Sequence, residues 1–467
     1  MSELPDNWVS APLETLGQWG SGGTPKRTNP AFYDGGTIPW LVIGDLNDSV
    51  VTQSATHITE MGLANSSAKL LPARTLLIAM YGSIGKLGIT GFECATNQAI
   101  AFCKPDNEVT SLRYLFYALK NAKDGLIALG QGGAQQNISQ GILKAYEVPL
   151  APSNEQKRIV DKLDGVLLRV DACRDHLDHI PAILKRFRQS VLAAATSGKL
   201  TEDWRLRKKL KSNDHAAHDD GVILPEIPGT WTWGRGAELV DPSADIVYGI
   251  VQPGPKLNEG VPYVRGMDIE NGQILVGQLL KTSKAIADRY SRSALKGGDV
   301  LLGIIRATKV AIVPDELNGA NITQGTARFR PSSVIRTKYL AAVLESPVTQ
   351  SWLHAHYRGI DMPGLNLADV RKVPIPLPPI EEQDEIVSRI EELFANAARI
   401  EACFITARTK VEKLTPALLA KAFRGELVPQ DANDEPAAEL LKRVRAMRLN
   451  VEAKQPGKTK KLVRRGK

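Results

Sequence analysis

The chain has 467 residues, of which 43% are hydrophobic and 24% are charged. This length predicts about two to four domains that each bury a core, and the proportions exclude collagen, wholesale disorder and a disulfide scaffold. The net charge of +8 lies at the end of the chain, because residues 442–467 hold eleven Lys or Arg against one acid and the other 441 residues sum to −2. A basic terminal segment either binds nucleic acid electrostatically or is a solvated tail. The net charge therefore does not identify the globular part as a DNA binder.

No sequence feature indicates export or membrane insertion. The opening residues, MSELPDNWVS, carry acids and Pro where a signal peptide has a basic segment and an apolar run. The longest uncharged stretch, 125–143, is rich in Gln and Gly and unsuited to a bilayer. The four cysteines form no C-x-x-C pair, which speaks against a zinc site or a disulfide framework. We therefore expect a soluble, cytoplasmic protein.

The chain contains two copies of one unit of about 225 residues. Pro5 and Trp8 match Pro228 and Trp231 at an offset of 223, and the offset drifts to 227 by the end of each copy. A drift of four residues over 200 positions indicates a true repeat. Further matched pairs are Pro39 and Pro262, Asp45 and Asp268, Lys86 and Lys309, Gln98 and Gln324, Tyr114 and Tyr339, Glu155-Gln156 and Glu382-Gln383, and Gly198 and Gly425.

Each copy begins with a domain that is predicted to be mixed α/β, over residues 1–147 and 227–373. Short β-rich runs in both domains are punctuated by Gly and Pro, and these runs are Ile38–Ile43, Thr75–Met80, Val261–Arg265 and Asp299–Ile305. One short helix per copy is predicted, over Thr110–Ala122, with the Thr as N-cap, and over Arg336–Glu345.

Each copy continues with a long helix, within residues 148–200 and 374–428, that carries a seven-residue apolar repeat. The spacing 4-3-4-3-4-3-4 predicts these core positions: Ile159, Leu163, Val166, Val170, Cys173, Leu177, Ile180, Leu184, Ile386, Ile390, Leu393, Ala397, Ile400, Phe404, Ala407 and Val411. So strict a stripe favours a coiled coil over a helix lying on a globular domain, which would carry a wider stripe. Gly198 and Gly425 are expected to end the helices, and Pro181 and Pro416 to kink or divide them.

The predicted fold class is α+β: two mixed α/β domains separated by two long helices that form an antiparallel coiled coil with a pseudo-twofold internal repeat. The helices pair antiparallel because the chain runs out along one and returns along the other, and about 40 helical residues span about 60 Å. Residues 201–226 are predicted to be a linker and 429–467 a charged, disordered tail. Two similar but non-identical domains at a fixed spacing suit a bipartite, asymmetric ligand such as two DNA half-sites.

No catalytic residue and no metal site is predicted. Asn29-Pro30-Ala31-Phe32 lacks the second Pro of the amino-methyltransferase motif, and no glycine-rich cofactor loop precedes it. The cluster 20–24 lacks the Lys-Ser/Thr ending of a phosphate-binding loop. His354 and His356 stand two apart with no obvious third ligand.

The loops of the two α/β domains, taken as groups, carry the side chains that suit base edges and phosphates, whereas any single one of these residues is more simply explained as a turn residue satisfied by water. In the first copy the candidates are hydroxyl, amide and cationic side chains at Thr24, Lys26, Arg27, Tyr81, Ser83, Lys86, Asn97, Gln98, Gln131, Gln135, Gln136 and Asn137. In the second copy they are Gln252, Lys256, Arg265, Arg306, Thr308, Lys309, Gln324, Arg358 and Asn366.

The sequence resembles the specificity subunits of type I restriction-modification enzymes over nearly its whole length. The most specific motifs are the two helix openings, Pro149-Leu150-Ala151-Pro152-x-x-Glu155-Gln156 and Pro376-Leu377-Pro378-Pro379-x-x-Glu382-Gln383, with the closings Ser197-Gly198-Lys199-Leu200 and Arg424-Gly425-Glu426-Leu427. The glycine turn 82–85 is replaced by Arg306-Ala307-Thr308 in the second copy. A backbone cradle for phosphate is therefore expected in the first copy and not in the second.

The resemblance implies a non-catalytic DNA reader in a system of defence against foreign DNA. Each target-recognition domain reads one half of a split, asymmetric site in double-stranded DNA. Two modification subunits, which methylate adenine N6, and the restriction subunits bind the same chain. The resemblance implies that S-adenosylmethionine, ATP and Mg²⁺ are held by those partners, and that outward helix residues such as Lys157, Arg158, Lys162, Glu385 and Arg389 are interface candidates. The alternative is a two-headed scaffold that binds proteins and has no DNA specificity.

Overall fold

The computed structural model describes residues 4–131, 136–209, 218–219 and 222–453. The described residues divide into two compact units: the first contains those up to Leu177 and those from Ala407 onward, and the second contains Asp178–Thr406. Each unit therefore holds one α/β domain and a part of each long helix. Gln135, residues 210–217 and 220–221 of the predicted linker, and the basic tail after residue 453 lie outside the described residues.

The α/β domain of the first unit has a five-stranded sheet in the order β2-β9-β6-β7-β4, a three-stranded sheet in the order β5-β3-β8, and the pair β1-β10. The strands are β1 Val9–Pro12, β2 Gly17–Ser21, β3 Ile38–Leu41, β4 Val50–Val51, β5 His57–Ile58, β6 Leu76–Ala79, β7 Leu87–Thr90, β8 Ala95–Thr96, β9 Ile100–Pro105 and β10 Glu147–Leu150. The helices are α1 Glu60–Ala64, α2 Leu112–Asn121, α3 Lys123–Ala128, α4 Gln140–Ala145 and the long α5 Ser153–Thr196.

The second unit repeats this topology. Its sheets run β14-β22-β19-β20 and β18-β15-β21, with the pairs β13-β23, β16-β17 and β11-β12. The strands are β11 His218–Asp219, β12 Val222–Ile223, β13 Thr232–Arg235, β14 Val247–Tyr248, β15 Val261–Val264, β16 Ile269–Glu270, β17 Gln273–Ile274, β18 Leu280–Thr282, β19 Val300–Gly303, β20 Val310–Ile312, β21 Asn321–Ile322, β22 Thr326–Phe329 and β23 Pro374–Leu377. The helices are α6 Glu202–Arg207, α7 Lys284–Arg289, α8 Thr337–Glu345, α9 Pro347–Ala355, α10 Leu367–Arg371 and the long α11 Ile380–Phe423; α12 Ala437–Ala453 follows in the first unit.

The repeat read from the sequence is present in the shared strands of the two units, although the first unit adds β4 to its larger sheet and the second adds the pair β16-β17. β6 pairs antiparallel with β7 and β9, and β19 pairs antiparallel with β20 and β22. The parallel pair β3-β8 has its counterpart in β15-β21. In both copies the central strand, β6 or β19, is buried along its whole length, as a continuous apolar run predicts.

The long helices run antiparallel within each unit. In the first unit, Ile159 and Leu163 of α5 share a core with Leu419 and Phe423 near the end of α11. In the second unit, Arg188 of α5 pairs with Glu401 of α11 at 2.8 Å, and farther along the chain the Leu200 carbonyl accepts a hydrogen bond from Arg389. The partner numbers fall as the α5 numbers rise, which is the antiparallel arrangement.

The heptad positions nearest the α/β domains are the best buried. Seven of the predicted positions are buried: Ile159, Leu163, Val170, Leu184, Ile386, Ile390 and Ala397. Two predicted positions are wrong, because Cys173 is exposed and Ile400 is 54% exposed. Both lie about 30 Å along their helix from its first residue. Leu167, beside the predicted Val166, is buried instead.

Two other expectations about the helices need correction. Neither Pro181 nor Pro416 divides its helix, since α5 and α11 are each continuous over 44 residues, while a kink at either proline stays a prediction. The N-cap of α2 is Ser111, whose hydroxyl accepts from the Tyr114 amide, while the predicted cap Thr110 donates instead to Gln156. Gly198 and Gly425 do follow the long helices in the left-handed conformation, at φ 77° and 76°.

The predicted disordered tail begins with ordered structure. Asp434 is buried and accepts a hydrogen bond from Arg158 at 2.7 Å. On α12, Ala437, Leu440 and Val444 are buried in the core of the first unit. The charged composition of 429–467 concealed this apolar face, whose spacing of three and four residues is helical.

Candidate nucleic-acid interface

In the first unit a series of backbone and side-chain contacts brings the predicted loops together. The Thr24 hydroxyl donates to the Gln98 side chain, and the neighbouring Asn97 amide donates to Leu41 O at 3.1 Å. Tyr81, in the turn that follows β6, forms a β-bridge with Asn137, and the preceding Met80 amide donates to Ala99 O at 2.8 Å, next to Gln98. The loops that were predicted separately are therefore in contact and form one surface, built on the strand ends of both sheets.

The side chains on this surface differ in exposure. The exposed ones are Lys26, Arg27, Tyr81, Ser83, Gln98, Gln131 and Gln136, and the half-buried ones are Thr24, Lys86, Asn97 and Asn137. The Lys86 ammonium donates to Ile43 O at 3.3 Å, which fixes its position beside the turn. Hydroxyls, amides and cations on one face are the groups that bond to base edges and phosphates.

The second unit has an open cleft of about 690 Å³ at the equivalent place. We call it the second-unit cleft, and its lining is Ile250, Val251, Pro253, Tyr263, Arg265, Gly266, Met267, Ile305, Arg306, Ala307, Lys309, Thr323, Gln324, Gly325 and Met362. Among the described residues that line it, three are cations and none is a carboxylate. The cleft is therefore suited to an anionic or acceptor-rich ligand.

Four of the nine residues predicted for the second copy line this cleft: Arg265, Arg306, Lys309 and Gln324. Arg265 is engaged within the protein, since its Nε and Nη2 donate to the buried Asp268 carboxylate at 2.9 and 2.7 Å. These hydrogen bonds raise the pKa of the Arg265 guanidinium. Arg306 has no such carboxylate partner among the described residues.

The other five predicted residues of the second copy do not line the cleft. Gln252 and Lys256 are exposed on the loop that follows β14. Arg358 pairs with Asp369 at 3.1 Å, and Asn366 is the N-cap of α10, accepting from the Asp369 amide at 2.8 Å. Thr308 donates to the Gln350 side chain. Three of these five side chains therefore already have a structural partner.

Sequence reasoning missed the apolar side chains of the cleft. Val251, Met267 and Met362 line it and are 48%, 69% and 58% exposed. Ile360, at the tip of the loop that carries Met362, is 98% exposed. The repeat carried a signal for this loop, because an offset of 227 aligns 358–364 with the predicted loop 131–137.

The turn after the central strand has the same backbone in both copies. Gly82 has φ 64° and Arg306 has φ 65°. The Gly82 amide donates to Gln136 O at 3.1 Å, and the Arg306 amide donates to Pro363 O at 2.8 Å. The replacement of the glycines by Arg306-Ala307-Thr308 therefore leaves the backbone of this turn unchanged, and the expectation that only the first copy cradles a phosphate stays a prediction.

The helix openings, the most specific motifs in the sequence, lie inside the units. Trp8 Nε1 donates to Glu155 Oε2 at 2.9 Å, and Trp231 Nε1 donates to Glu382 Oε2 at the same distance. All four side chains are buried. Burial raises the pKa of the Glu155 carboxyl. These residues join each α/β domain to its helix and are not available to a nucleic acid.

The glutamines that follow these two glutamates, Gln156 and Gln383, also join each α/β domain to its helix. Gln156 Nε2 donates to Val109 O and Ala151 O, and Gln383 Nε2 donates to Val334 O and Pro378 O, all at 2.9–3.0 Å.

Of the outward helix residues predicted for partner binding, Lys157 and Lys162 are exposed. Arg158 is instead bound to Asp434, and Arg389 to Asp203 and Glu385.

A family model for the type I restriction modification DNA specificity domain matches residues 5–176 and 254–405. The chain belongs to this family. The EcoBI specificity subunit of Escherichia coli is 34% identical over 385 residues, covering 80% of this chain and 79% of that protein. The EcoKI specificity subunit of Escherichia coli strain K12 is 26% identical over 471 residues, covering 96% of each.

Solved structures share the fold of this family member. A chain from a structure of type I R-M complex assembly and conformational transition matches with a TM-score of 0.68 at 18% identity, covering 91% of this chain and all of that one. The HsdS subunit from Thermoanaerobacter tengcongensis matches with a TM-score of 0.54 at 19% identity, covering 91% and 98%. The resemblance read from the motifs is thus confirmed, as is the architecture of two mixed α/β domains with long helices.

Two features are absent from the part of the chain that the structure describes. No described helix is long and apolar enough to cross a membrane. Within the same residues, no group of three or more His, Cys, Asp or Glu side chains is placed to hold a metal ion.

Proposed function

We propose that this chain is the sequence-specific DNA-binding subunit of a type I restriction-modification complex, and that each α/β domain reads one half of a bipartite, asymmetric site. The observation that carries the proposal is the pair of equivalent loop surfaces. Both are built on the same strand ends and turns, yet they carry different side chains, with amides around Gln98 and Gln136 in the first unit and cations around Arg306 and Lys309 in the second. Two domains that share a backbone fold but differ in their loop side chains are suited to two half-sites of different sequence.

The chemistry of these surfaces favours double-stranded DNA as the ligand. Amide side chains bond to adenine and guanidinium groups to guanine in the major groove, while cations and backbone N–H groups position phosphates. The apolar side chains of Met267 and Met362 are suited to thymine methyl groups at the same edges. The described residues that line the second-unit cleft include no carboxylate that would repel the phosphate backbone.

Catalysis is assigned to partner subunits. The proposal places S-adenosylmethionine, ATP and Mg²⁺ on two modification subunits and on the restriction subunits, which dock on the long helices. On α5, the exposed Lys157 and Lys162 remain candidates for that interface. Arg158 and Arg389 are weaker candidates, because their guanidinium groups already bind Asp434 and Asp203.

The test is a map of adenine methylation across the genome of a host that carries this chain and its modification partner. A split, asymmetric motif that vanishes when this chain alone is deleted is the expected result. Exchange of residues 1–147 for the first domain of another family member is expected to change one half of the motif and leave the other half and the gap unchanged. A change in both halves would contradict independent reading by the two domains.

A binding assay separates DNA reading from the alternative of a protein-binding scaffold. DNA binding through several phosphates weakens steeply as salt rises, with a slope set by the number of phosphates neutralised, and keeps a strong preference for one sequence. The reconstituted modification complex is therefore expected to bind a duplex that carries the mapped motif at least about 1,000-fold more tightly than a scrambled duplex. Equal affinity for both duplexes would support the scaffold.

A further inference from the structure

Arg306 adopts a backbone conformation that normally requires glycine. It lies in the turn after β19 at φ 65°, where a Cβ atom is strained. The same turn of the first copy holds Gly82 at φ 64°. The second copy therefore keeps a strained arginine at a position where its own repeat shows that glycine fits.

The two copies carry this strain at opposite ends of the central strand. The turn that precedes β6 in the first unit holds Arg74 at φ 65°, whereas the turn that precedes β19 in the second unit holds Gly298 at φ 85°. Arg74 and Arg306 are thus the same residue type in the same conformation. Arg306 lines the second-unit cleft, and Arg74 lies at the end of its strand away from the predicted loops.

The surrounding loop holds the Arg306 backbone but leaves its guanidinium uncommitted. The Arg306 amide donates to Pro363 O at 2.8 Å, and the Leu365 amide donates to Ile304 O at 2.8 Å. The side chain is exposed, and its Nη2 contacts the Met362 sulfur, a weak acceptor, at 3.6 Å. Within the described part of the chain no carboxylate pairs with it.

The other arginines predicted for this domain differ in that respect. Arg265 binds Asp268 through two hydrogen bonds, and Arg358 pairs with Asp369. Arg306 is therefore the arginine of this group whose planar, five-donor fork remains available to a ligand. Backbone strain that a surrounding loop enforces is typical of functional positions, since the strain sets the direction in which the side chain leaves the turn.

We propose that Arg306 is a specificity-determining residue of the second domain and that its guanidinium reads a guanine in the major groove, by bidentate hydrogen bonds to O6 and N7. This inference rests on the proposed function. A phosphate contact needs only a cation within reach and gains nothing from a strained, directed backbone. Bidentate contact with a base edge needs a fixed approach of the planar fork, which the turn supplies.

The experiment compares Arg306→Gly with Arg74→Gly in the whole complex of this chain and its modification partner. For Arg306→Gly the melting temperature is expected to stay the same or rise by about 2 °C, because the strain is relieved. Affinity for the cognate duplex is expected to fall by about 10- to 100-fold, and the methylation map to lose its preference for guanine at one position of the second half only.

Two further variants make the result specific. Arg74→Gly relieves the same strain and is expected to leave both the methylation map and the affinity unchanged. Arg306→Lys keeps the charge without the fork and is expected to lose the guanine preference while retaining most of the salt dependence.

Three outcomes would overturn the inference. An unchanged map for Arg306→Gly would show that this side chain reads no base. Uniform weakening across all duplexes, with the base preference intact, would assign Arg306 to a phosphate. A lower melting temperature for Arg306→Gly would assign it a structural role. In each case the motif must still vanish when the whole chain is deleted; if it does not, the proposed function itself has failed.

Discussion

The two units hold the start of a long helix through the same buried glutamate, but the side chains that bind this glutamate differ. In both, a buried glutamate in the first turn of a long helix accepts a hydrogen bond from a tryptophan that opens the α/β domain. In the first unit the second partner is an amide, since Gln430 Nε2 donates to Glu155 Oε1 at 2.6 Å. In the second unit the partner is a cation, since Arg205 Nη1 donates to Glu382 Oε1 at 2.5 Å.

The second partner comes in each unit from the segment that follows the end of a long helix. Gln430 follows α11, and Arg205 lies on α6, which follows α5. The antiparallel arrangement places the end of one helix beside the start of the other, so each helix start is closed by the chain leaving its neighbour. The motif Glu-Gln in the sequence therefore marks this junction, and its repetition identifies the fold rather than the DNA chemistry.

The charged junction is expected to be the more sensitive of the two. Glu382→Gln removes the charge that balances Arg205, whose side chain is only 13% exposed, and leaves a nearly buried cation unpaired. We expect the free energy of unfolding of the second unit to fall by about 4 kcal/mol. Amide hydrogen exchange, resolved by peptide, measures the loss in the second unit separately from the first.

The matched control is Glu155→Gln. Its hydrogen-bond partners Trp8 and Gln430 are neutral, and the nearby Arg158 cation is already paired with Asp434. A glutamine in this place can still accept from the tryptophan, so the first unit should change by less than about 1 kcal/mol. Equal losses from the two variants would show that the buried hydrogen bonds, and not the Arg205 charge, account for the stability of both junctions.

The segments that follow the long helices also differ in how they pack. Leu440 of α12 is 1% exposed in the core of the first unit, whereas Leu206 of α6 is 73% exposed. We expect Leu440→Ala to lower the free energy of unfolding of the first unit by about 3 kcal/mol, because it opens a cavity. Leu206→Ala should change the second unit by less than about 0.5 kcal/mol. Denaturant unfolding of both variants compares the two, and an unaffected Leu440→Ala would mean that α12 does not support the core.

The sequence predicted those parts of the fold that appear in it as a periodic apolar pattern or as an internal repeat. The heptads located α5 and α11, and the offset of about 225 residues located two α/β domains with the same strands. The burial of a side chain by a segment that is distant in the chain leaves no periodic signal in the local sequence. Neither the exposure of Cys173 and Ile400 nor the burial of Leu440 follows from spacing alone, because each depends on whether another segment lies over that side chain.

The candidate site was predicted as loops but not as individual contacts. Arg265 and Arg306 are both arginines in loops of the same domain, and nothing in the sequence distinguishes them. The structure does, because a short turn brings Asp268 onto Arg265, whereas the loop 358–364 leaves Arg306 without a carboxylate. Whether a cation is free for a ligand is decided by turn geometry, which propensity does not specify.

A half-buried acid makes the second unit the more sensitive to pH. Burial raises the pKa of Glu345 at the end of α8 to about 7, whereas the first copy has Lys120 at the equivalent position. The charged and titratable side chains around the two pockets that Glu345 lines are Lys185, Arg188, Lys309, Lys338 and Glu401. The raised pKa means that the folded state favours the protonated acid, so the second unit loses stability as pH rises from about 4.5 to 7.

We expect this loss to reach about 2 kcal/mol once partial exposure is allowed for, and Glu345→Gln to remove it. Denaturant unfolding at pH 5 and pH 8, with hydrogen exchange to separate the units, measures the effect. Lys120→Gln is the control and should leave the pH dependence of the first unit unchanged. A second unit equally stable at both pH values would mean that Glu345 is ionised throughout.

The smallest expected difference concerns an ion pair that ties a short helix to a long one in both units. In the first unit Asp164 of α5 accepts from both Arg113 and Tyr117 of α2, while in the second, among the described residues, Glu391 of α11 accepts from Lys338 of α8 alone. The side chains of all four ionised residues are 41–63% exposed, where solvent screens most of the Coulomb energy.

We expect Asp164→Asn to lower the free energy of unfolding of the first unit by about 1 kcal/mol, since it weakens a two-donor arrangement. Glu391→Gln should lower the free energy of unfolding of the second unit by about 0.3 kcal/mol, because an exposed ion pair with a flexible lysine contributes little to stability. A double-mutant cycle with Arg113 and with Lys338 isolates each pair. If high salt abolished the loss caused by Asp164→Asn as completely as that caused by Glu391→Gln, the Tyr117 hydroxyl would contribute nothing, and the two units would be alike at this contact.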